Sequence, residues 1–507
     1  MIGTATAGSR LRNPDKFYIG GEWVEPSSDA TIEVIDSNDE QPFLRVAEAT
    51  AADMERAVGA ARDAFDRGEW RRLGHLERAG YLRAMGAALR ARSDTLADIL
   101  PRESGMLFAH SQKSGGEASW LLDYYADLAG DYPWEEPAPT VGALGGPSLS
   151  LAQFGLIVRE PVGVAAAIVA WNGPVRGALM KIAPAMLAGC TVVLKASPEA
   201  PGAAYLIAEA AEAAGLPPGV LNVVTADREV SELLVRDPRV DKITFTGSTA
   251  AGRRIASICG ERIARCTLEL GGKSAAVILD DIDIETAART LSQAECFLSG
   301  QVCSSLTRIV VPRSRHDALL EALAGTFSQV RVGDPFASGS QMGPLAAERQ
   351  RDRVEGYIAK GIADGATLAT GGGRPKDLER GWYIEPTVFG NVDNQSAIAQ
   401  EEIFGPVLSV IPAADEDDAV RIANDTIYGL NASVFTSDVN RARQVGGRLR
   451  SGTVGHNAMR TDFGVSFGGF KQSGIGREGV HEGLPHFLET KFMVFEGNPD
   501  GYESTVL

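Results

Sequence analysis

The sequence has few cysteines, and none is spaced for a disulfide framework or a zinc site. Five cysteines occur in 507 residues, an odd number, with no Cys-x-x-Cys pair and no paired cysteine and histidine spacing. We therefore expect reduced thiols and no bound metal.

Long apolar runs and an amino-terminal apolar segment are also missing. The longest apolar stretch, 162–175, is too short for a bilayer and contains Asn172, Gly173 and Pro174. The first residues, MIGTATAGSRLRNPDKF, have no apolar core of a secretory signal. We expect a cytoplasmic protein with no membrane partner.

Basic residues are in deficit. Lys and Arg number 49 against 66 Asp and Glu, a net charge of −17, which argues against a broad nucleic-acid-binding face. The length corresponds to roughly three domain-sized units. The 57 glycines show no collagen-like period, so we expect tight turns and close backbone approaches.

The sequence contains a pattern of strands and helices that is typical of an α/β protein. A hairpin with its turn at Gly20-Gly21 is followed by helices, and Thr50 with Asp53 is a capping-box signal. From residue 157 onward, buried strands alternate with helices, which predicts a doubly wound parallel sheet. The strands predicted for this sheet are 157–171, 191–197, 220–225 and 242–246.

A second α/β region begins near Leu268. Its predicted strands are 275–279, 308–311, 387–390 and 407–411. The segment 489–496 then predicts a lone apolar strand after the final helix. Because an isolated strand needs an edge to pair with, we expect another subunit to supply one, and hence an oligomer.

Two features could bind a nucleotide. The strand 242–246 runs into Gly247 and then Gly252, and a glycine between a strand and a helix lets a pyrophosphate reach free backbone N–H groups. The spacing lacks the lysine of a triphosphate-binding loop, and a glycine that merely starts a packed helix is equally compatible. Lys195 and Glu199 follow another strand, where they could bind ribose hydroxyls or lie in solvent.

Three residues could carry chemistry. Glu269, in LELGGKS, suits a general base if it is buried, although an exposed strand position is the alternative. Cys303, in GQVCSS, lies on a loop where a thiol can attack a substrate or simply pack. Asn172, in WNGP, is a helix N-cap or an oxyanion donor. No histidine is an obvious partner for Cys303, so a Cys-His hydrolase lacks a clear base.

Together these motifs resemble the aldehyde dehydrogenase superfamily over nearly the whole chain. The matching segments occur in the family's order, and the 34 residues between Glu269 and Cys303 (303 − 269) also fit it. They are EPVGV at 160–164, WNGP at 171–174, VLKASPE at 193–199, FTGST at 245–249, LELGGKS at 268–274, GQVC at 300–303, EEIFGPV at 401–407 and FGGFKQSGIGRE at 467–478.

The resemblance implies catalytic roles. Cys303 would add to an aldehyde carbonyl, and Asn172 with the backbone N–H of Cys303 would hold the oxyanion. Hydride transfer to a nicotinamide would leave a thioester, which water activated by Glu269 would hydrolyse. Lys181 matches a family lysine close to this centre.

The resemblance also implies a cofactor site and a substrate tunnel. NAD is expected, and NADP stays open because Pro198 stands where many members have a carboxylate. The segment 225–230 lacks the glycines of many members, which leaves the adenine pocket open. The implied cofactor-binding residues are Trp171, Lys195, Ser197, Glu199, Gly247, Ser248, Leu270, Gly271, Glu402 and Phe404. The implied tunnel residues are Arg176, Met180, Val302, Ser304 and Phe463, of which Met180 and Phe463 favour an apolar aldehyde.

The implied domains are a Rossmann-like NAD(P)-binding domain, a second α/β catalytic domain and a small β extension for oligomerisation. They cover, in that order, 1–138 with 158–270, 271–472, and 139–157 with 487–507, in a homodimer or homotetramer. A CoA-acylating relative is the main alternative, and it is disfavoured because Glu269 is present. A thiol esterase or amidase without cofactor, and a non-enzymatic protein on the same fold, are the others.

Overall fold

The computed structural model describes residues 10–138 and 153–502, within which four β-sheets form. The strands are β1 (Phe17–Ile19), β2 (Glu22–Val24), β3 (Thr31–Ile35), β4 (Pro42–Ala47), β5 (Glu135–Ala138), β6 (Gln153–Pro161), β7 (Val164–Ile168), β8 (Thr191–Ala196), β9 (Leu221–Thr225), β10 (Lys242–Thr246), β11 (Arg265–Glu269), β12 (Ala275–Ile278), β13 (Arg308–Pro312), β14 (Thr367–Thr370), β15 (Thr387–Gly390), β16 (Val407–Ala413), β17 (Asn431–Phe435), β18 (Thr453–His456), β19 (Gly474–Ile475) and β20 (Leu488–Glu496).

Helices connect these strands and cover their faces. They are α1 (Ala51–Asp66), α2 (His75–Ala91), α3 (Ser93–Ser104), α4 (Phe108–Ser111), α5 (Ser114–Asp131), α6 (Pro174–Ala188), α7 (Gly202–Ala213), α8 (Arg228–Arg236), α9 (Thr249–Arg262), α10 (Ile284–Cys296), α11 (His316–Phe327), α12 (Glu348–Ala363), α13 (Ala397–Gln400), α14 (Glu416–Asn424), α15 (Val439–Gly446) and α16 (Val480–Gly483). The capping box predicted for α1 is present: Thr50 accepts from Ala52 N, and Asp53 accepts from Thr50 N.

The first large sheet has the order β19-β11-β10-β7-β8-β9-β1-β2, and its five strands from β11 to β9 are parallel. β7 and β8 consist of buried residues throughout, as expected for strands covered on both faces. The chain moves outward from β7 in one direction through β8 and β9, then returns to add β10 and β11 on the other side. Such a reversal opens a ligand crevice at the carboxyl ends of the strands.

The second large sheet has the order β14-β15-β16-β13-β12-β17-β18 and is parallel except at β14. The segments that enter its central strands carry the second group of motifs: 270–274 leads into β12, 300–307 into β13 and 401–406 into β16. Asn172, which follows β7, donates to the backbone oxygen of Gln301, which precedes β13, so the amino ends of this sheet lie against the carboxyl ends of the first. The predicted doubly wound sheet with a second α/β region is confirmed.

The predicted strand 157–171 is wrong as a single element. β6 belongs to a three-stranded antiparallel sheet of order β20-β6-β5, whereas β7 belongs to the first large sheet. Gly163 between them has φ +133°, and a Cβ there would collide with the Asp241 carboxylate. The chain therefore turns from one sheet into the other at this glycine.

The pairing expected for the terminal strand is also wrong. β20 pairs along its whole length with β6 of the same chain, from Leu488 opposite Pro161 to Glu496 opposite Gln153. β20 is the edge strand of this sheet, so its other edge has no partner among the described residues. Of the segments expected to mediate oligomerisation, 139–152 and 503–507 lie outside the described residues. None of the helices in the described ranges is long and apolar enough to cross a bilayer.

Candidate active site

Asn172 reaches the loop that carries Cys303. It lies between β7 and α6, one residue before the N-cap Gly173, and its side-chain Nδ2 donates to the backbone oxygen of Gln301 at 2.9 Å. Gln301 is two residues before Cys303. This hydrogen bond connects the carboxyl edge of the first sheet to the amino edge of the second.

The backbone before Cys303 is tightly constrained. Leu298, Ser299 and Gly300 have φ values of 50°, 55° and 70°, three consecutive residues in the left-handed region. The side chain of Gln301 then donates to the backbone oxygens of Ser104 and Leu298, at 3.1 and 3.0 Å, and accepts from Ala346 N at 2.9 Å. These bonds tie the loop to both halves of the molecule.

The Cys303 thiol is half-buried at this junction. Loss of solvent raises its pKa to about 12, and the nearby carboxylates of Glu402 and Glu269 add to the shift. Of the other four cysteines, Cys190, Cys259 and Cys296 are buried, and Cys266 is half-buried like Cys303.

Glu269 is the last residue of β11 and is 2% exposed. Within the described ranges neither of its carboxylate oxygens has a hydrogen-bond partner. Burial, together with the charge of Glu478, raises the pKa of Glu269 well above its usual value. A Cβ on Gly468 would lie 2.7 Å from Glu269 Oε1, so the glycine leaves room for the carboxyl group.

A buried ion pair lies close enough to Glu269 for both of its charges to shift the pKa of that carboxyl group. Lys181, on α6, has no exposed surface; its Nζ donates to Thr246 Oγ1 at 2.7 Å and is ion-paired with Glu478. Lys181 lowers the pKa of Glu269 while Glu478 raises it. The three groups form one electrostatic unit.

Glu402 and Phe404 lie in the segment that enters β16. Glu402 is half-buried, and its Oε1 accepts from Gly272 N at 3.1 Å. Loss of solvent raises its pKa to about 7. A Cβ on Gly271 would collide with the Glu402 carboxylate, so glycine at this position leaves room for the carboxylate in its present place. The Phe404 ring meets Trp171 edge-on, with centroids 5.3 Å apart.

The remaining predicted cofactor residues follow the carboxyl edge of the first sheet. Lys195 is 7% exposed, and burial lowers its pKa to about 8 despite the nearby carboxylates of Glu199 and Asp227. Glu199 accepts from Ser197 Oγ and forms an ion pair with Arg349 of α12, which bridges the two halves.

The glycine loop after β10 has the geometry of a helix start. Gly247 N donates to Glu269 O at 3.0 Å, and the Ser248 side chain caps α9 by accepting from Ala251 N at 3.3 Å. Leu270 is buried, and a Cβ on Gly252 would collide with it.

The residues expected to line a tunnel divide into two groups. Arg176 and Phe463 are together: the guanidinium lies 4.8 Å from the ring centroid and forms an ion pair with Glu117 at 2.9 Å. Val302 is half-buried beside Cys303. Met180, at 2% exposure, packs in the hydrophobic core, and Ser304 is also buried.

Comparisons with known proteins agree with this geometry. The model of the aldehyde dehydrogenase family matches residues 23–493. The chain belongs to the aldehyde dehydrogenase family. Membership confirms the predicted family and enzyme class, an oxidoreductase that oxidises aldehydes with NAD(P)+.

Three relatives illustrate the similarity. Geranial dehydrogenase from Castellaniella defragrans is 43% identical, over 95% of this chain and 98% of its own. The aldehyde dehydrogenase of Mycobacterium tuberculosis, solved with NAD+, is 44% identical with a TM-score of 0.90, over 97% of this chain and 99% of its own. A mutant of aldehyde dehydrogenase C from Pseudomonas syringae, solved with NAD+ and octanal, is 38% identical with a TM-score of 0.89, over 96% and 98%.

Two polar residues of this aldehyde dehydrogenase were not singled out from sequence. Glu478 lies inside a quoted motif, but its distance from Lys181 along the chain hides their pairing. Gln301 is part of GQVC, yet its anchoring bonds depend on Ser104 and Ala346, which no local pattern connects to it.

Proposed function

We propose that this aldehyde dehydrogenase works through a covalent intermediate on Cys303, with NAD as hydride acceptor and Glu269 as the base that releases the acid. The observation that carries the proposal is the state of Glu269. It is a buried carboxyl group without a hydrogen-bond partner in the described ranges. It also lies close enough to the Cys303 thiol for its charge to raise the pKa of that thiol. A carboxyl whose pKa is raised by burial is suited to accept a proton near neutral pH.

The chain's own residues supply the covalent steps. The Cys303 thiol loses its proton to solvent, its sulfur adds to the aldehyde carbon, and the Asn172 amide with the Cys303 N–H stabilises the oxyanion. Fixed donors of this kind typically contribute about 10²–10³ in rate. After oxidation to the thioester, Glu269 removes a proton from water, the water oxygen bonds to the acyl carbon, and the sulfur leaves. The products are the carboxylic acid and the free thiol.

The residues along the crevice fit NAD. Lys195 is a nearly buried ammonium group with no hydrogen bond or ion pair among the described residues, and ribose hydroxyls would satisfy it. The amino end of α9 offers N–H groups to a pyrophosphate. Trp171, Glu402 and Phe404 would flank the nicotinamide end, which would supply the hydride acceptor. Solved relatives carry NAD+, which supports the same choice here.

Two alternatives make different demands. A CoA-acylating enzyme would release the thioester to a thiol and would have no use for Glu269 as a base. A cofactor-independent esterase or amidase would need a base beside Cys303 and no dinucleotide crevice. The unpartnered Lys195 and Glu269 favour the NAD-dependent hydrolytic reaction over both.

We also propose the division of labour expected from sequence. Residues up to 138 with 158–270 bind NAD, 271–472 supply the nucleophile, and the segments 139–157 and 487–507 mediate a homodimer or homotetramer. The exposed Phe492 and Val494 on β20 support an association surface at the three-stranded sheet. Light scattering on the purified protein gives the assembly size, and a monomer at micromolar concentration would contradict this part.

The test of the reaction is Cys303→Ala. We expect aldehyde oxidation to fall at least 10³-fold while NAD binding, followed by tryptophan fluorescence, stays within twofold of wild type. Cys296→Ala, a buried cysteine just upstream, is the matched control. Retained oxidation in Cys303→Ala would overturn the proposal.

A further inference from the structure

The turn that carries Cys303 is fastened to a second buried carboxyl group. Ser305 N donates to Val302 O at 3.0 Å, so Cys303 and Ser304 form the corner of a tight turn. Ser305 is 3% exposed, and its Oγ donates to the carboxylate of Glu295. Glu295, in the last turn of α10, therefore holds the carboxyl-terminal end of this turn, two residues after the thiol.

Glu295 occupies a position on α10 where an apolar side chain would be expected. It is 1% exposed, and it follows Ala288 and Leu291 on the face of the helix that packs into the hydrophobic core. Removing a carboxylate from water is costly, and replacing buried ionic groups with apolar side chains of similar size is often neutral or stabilising. The carboxyl group is therefore better explained by what it holds in place than by a contribution to stability.

A buried lysine lies close to the carboxyl group of Glu295. Lys273, in the segment that enters β12, is 1% exposed, and within the described ranges neither its Nζ nor Glu295 Oε1 has a hydrogen-bond partner. Loss of solvent raises the pKa of Glu295 to about 8, against the opposing effects of the Ser305 hydrogen bond and the charge of Lys273. Loss of solvent lowers the pKa of Lys273 to about 7, although the carboxylates of Glu295 and Glu402 oppose this shift. One ammonium group thus lies near both the carboxyl group that holds Ser305 and the one proposed to flank the nicotinamide.

We propose that Glu295 is a positioning residue for Cys303: its carboxyl group holds Ser305, and the turn closed by Ser305 aims the thiol at the aldehyde carbon. This rests on the proposed function, since it requires Cys303 to be the nucleophile. Attack on a carbonyl needs the reacting atoms about 3–3.5 Å apart with their orbitals aligned, and a displacement of about 1 Å can cost about 10²-fold in rate. Loss of the Ser305 hydrogen bond should therefore slow the reaction of the thiol without weakening NAD binding.

The test is the single-turnover rate of NADH formation, with saturating NAD and the enzyme in excess over octanal. Ser305→Ala removes the donor, Glu295→Leu removes the acceptor, and Glu295→Gln keeps an acceptor oxygen at the same place. We expect Ser305→Ala and Glu295→Leu to lower this rate about tenfold or more, and Glu295→Gln to stay within about threefold of wild type. The NAD dissociation constant, from fluorescence titration, should stay unchanged in all three.

A double variant separates positioning from a general loss of structure. Because Glu295 and Ser305 act through one hydrogen bond, Glu295→Leu combined with Ser305→Ala should be no slower than the slower single variant, whereas independent defects would multiply. Ser292→Ala is the matched control. Ser292 is a buried serine one turn earlier on α10 whose hydroxyl has no hydrogen-bond partner in the described ranges, and its variant should keep the wild-type rate.

Three outcomes would overturn the inference: a folded Ser305→Ala protein with the wild-type rate, multiplied losses in the double variant, or a Glu295→Gln protein no faster than Glu295→Leu. Ser305→Ala changes only one hydroxyl group, so it decides the question even if Glu295→Leu does not fold. The proposed function fails separately, through aldehyde oxidation that survives Cys303→Ala.

Discussion

The ammonium group of Lys181 forms a buried ion pair with the carboxylate of Glu478, within charge range of Glu269. The two partners act on Glu269 with opposite signs: Glu478 raises its pKa and Lys181 lowers it. Burial is the main cause of the raised pKa of Glu269, and the ion pair adds two opposing charge effects to it.

Removing either partner should move the pH profile in a predictable direction. Hydrolysis of the thioester needs ionised Glu269, so its rate rises with pH through the pKa of that group. Glu478→Gln removes a negative charge and should shift the acidic limb to lower pH. Lys181→Met removes a positive charge and should shift it to higher pH. Steady-state kcat between pH 5 and 10, under conditions where hydrolysis limits turnover, measures both shifts.

The control for this pair is Glu482→Gln, a nearby exposed carboxylate. Each variant also leaves a buried charge without its partner, which typically costs about 3–5 kcal/mol of stability. Thermal melts of both variants give the temperatures at which each protein is folded, and the kinetics are measured below them. Shifts in the same direction for both variants would contradict the electrostatic unit.

Glu269→Gln should separate oxidation from hydrolysis. The amide cannot accept a proton from water, so the thioester should form once and persist. We expect a burst of NADH close to one per active site, followed by turnover at least 10²-fold below wild type. Rapid-mixing absorbance at the NADH band measures the burst, and mass spectrometry detects the acyl group on Cys303. Wild-type turnover in the variant would remove Glu269 from the mechanism.

The reactivity of Cys303 should depend on Glu402. The carboxylate of Glu402 helps to raise the thiol pKa to about 12, and its own pKa is about 7. Glu402→Gln should therefore speed alkylation of Cys303 by iodoacetamide above pH 7, where the wild-type carboxylate is charged, and have little effect below pH 6. Peptide mass spectrometry reads the site. Glu401→Gln, at the exposed neighbouring position, is the control, and an equal acceleration there would exclude a specific effect.

Helix α1 offers a stability test remote from the site. The buried Asp53 carboxylate accepts from Ser27 N at 2.9 Å and from Thr50 N at 3.0 Å. Burial raises its pKa, but the hydrogen bonds from Ser27 and Thr50 outweigh burial and leave the pKa below its usual value. Asp53→Asn should lower the free energy of unfolding by about 1 kcal/mol at pH 7.

The pH dependence of that loss follows from the lowered pKa. A carboxyl group with a depressed folded-state pKa stabilises the protein above its unfolded value, about 3.9, and this stabilisation is lost as pH falls through the folded value. The gap between wild type and Asp53→Asn in denaturant unfolding should thus shrink below pH 4. Asp63→Asn, on the exposed side of the same helix, should have no comparable effect.

The sequence predicted well those parts of the fold that local patterns determine. The capping box at Thr50 and Asp53 and the alternation of buried strands with helices need only neighbouring residues. Asn172, Lys195 and Glu269 could be singled out because strand ends and glycines are visible in sequence, and the ends of parallel strands share one edge of a sheet. The roles of the other site residues came from the family resemblance.

Features that depend on distant partners could not be read in the same way. The run 157–171 contains Arg159 and Glu160 before Gly163 and is apolar after it, but this difference alone does not show that the halves enter different sheets. The last strand mixes apolar and charged residues, and nothing in its own residues identifies β6 as its partner. The same holds for Glu478, whose pairing with Lys181 depends on how the loop after β18 folds back onto α6.

The side chain of Gln301 fastens α3, the nucleophile loop and the segment before α12 to one another. A displacement of any of these three segments therefore moves the loop that carries Cys303, two residues after Gln301. Substitutions that shift α3, although far from any substrate, would therefore change the position of the Cys303 thiol.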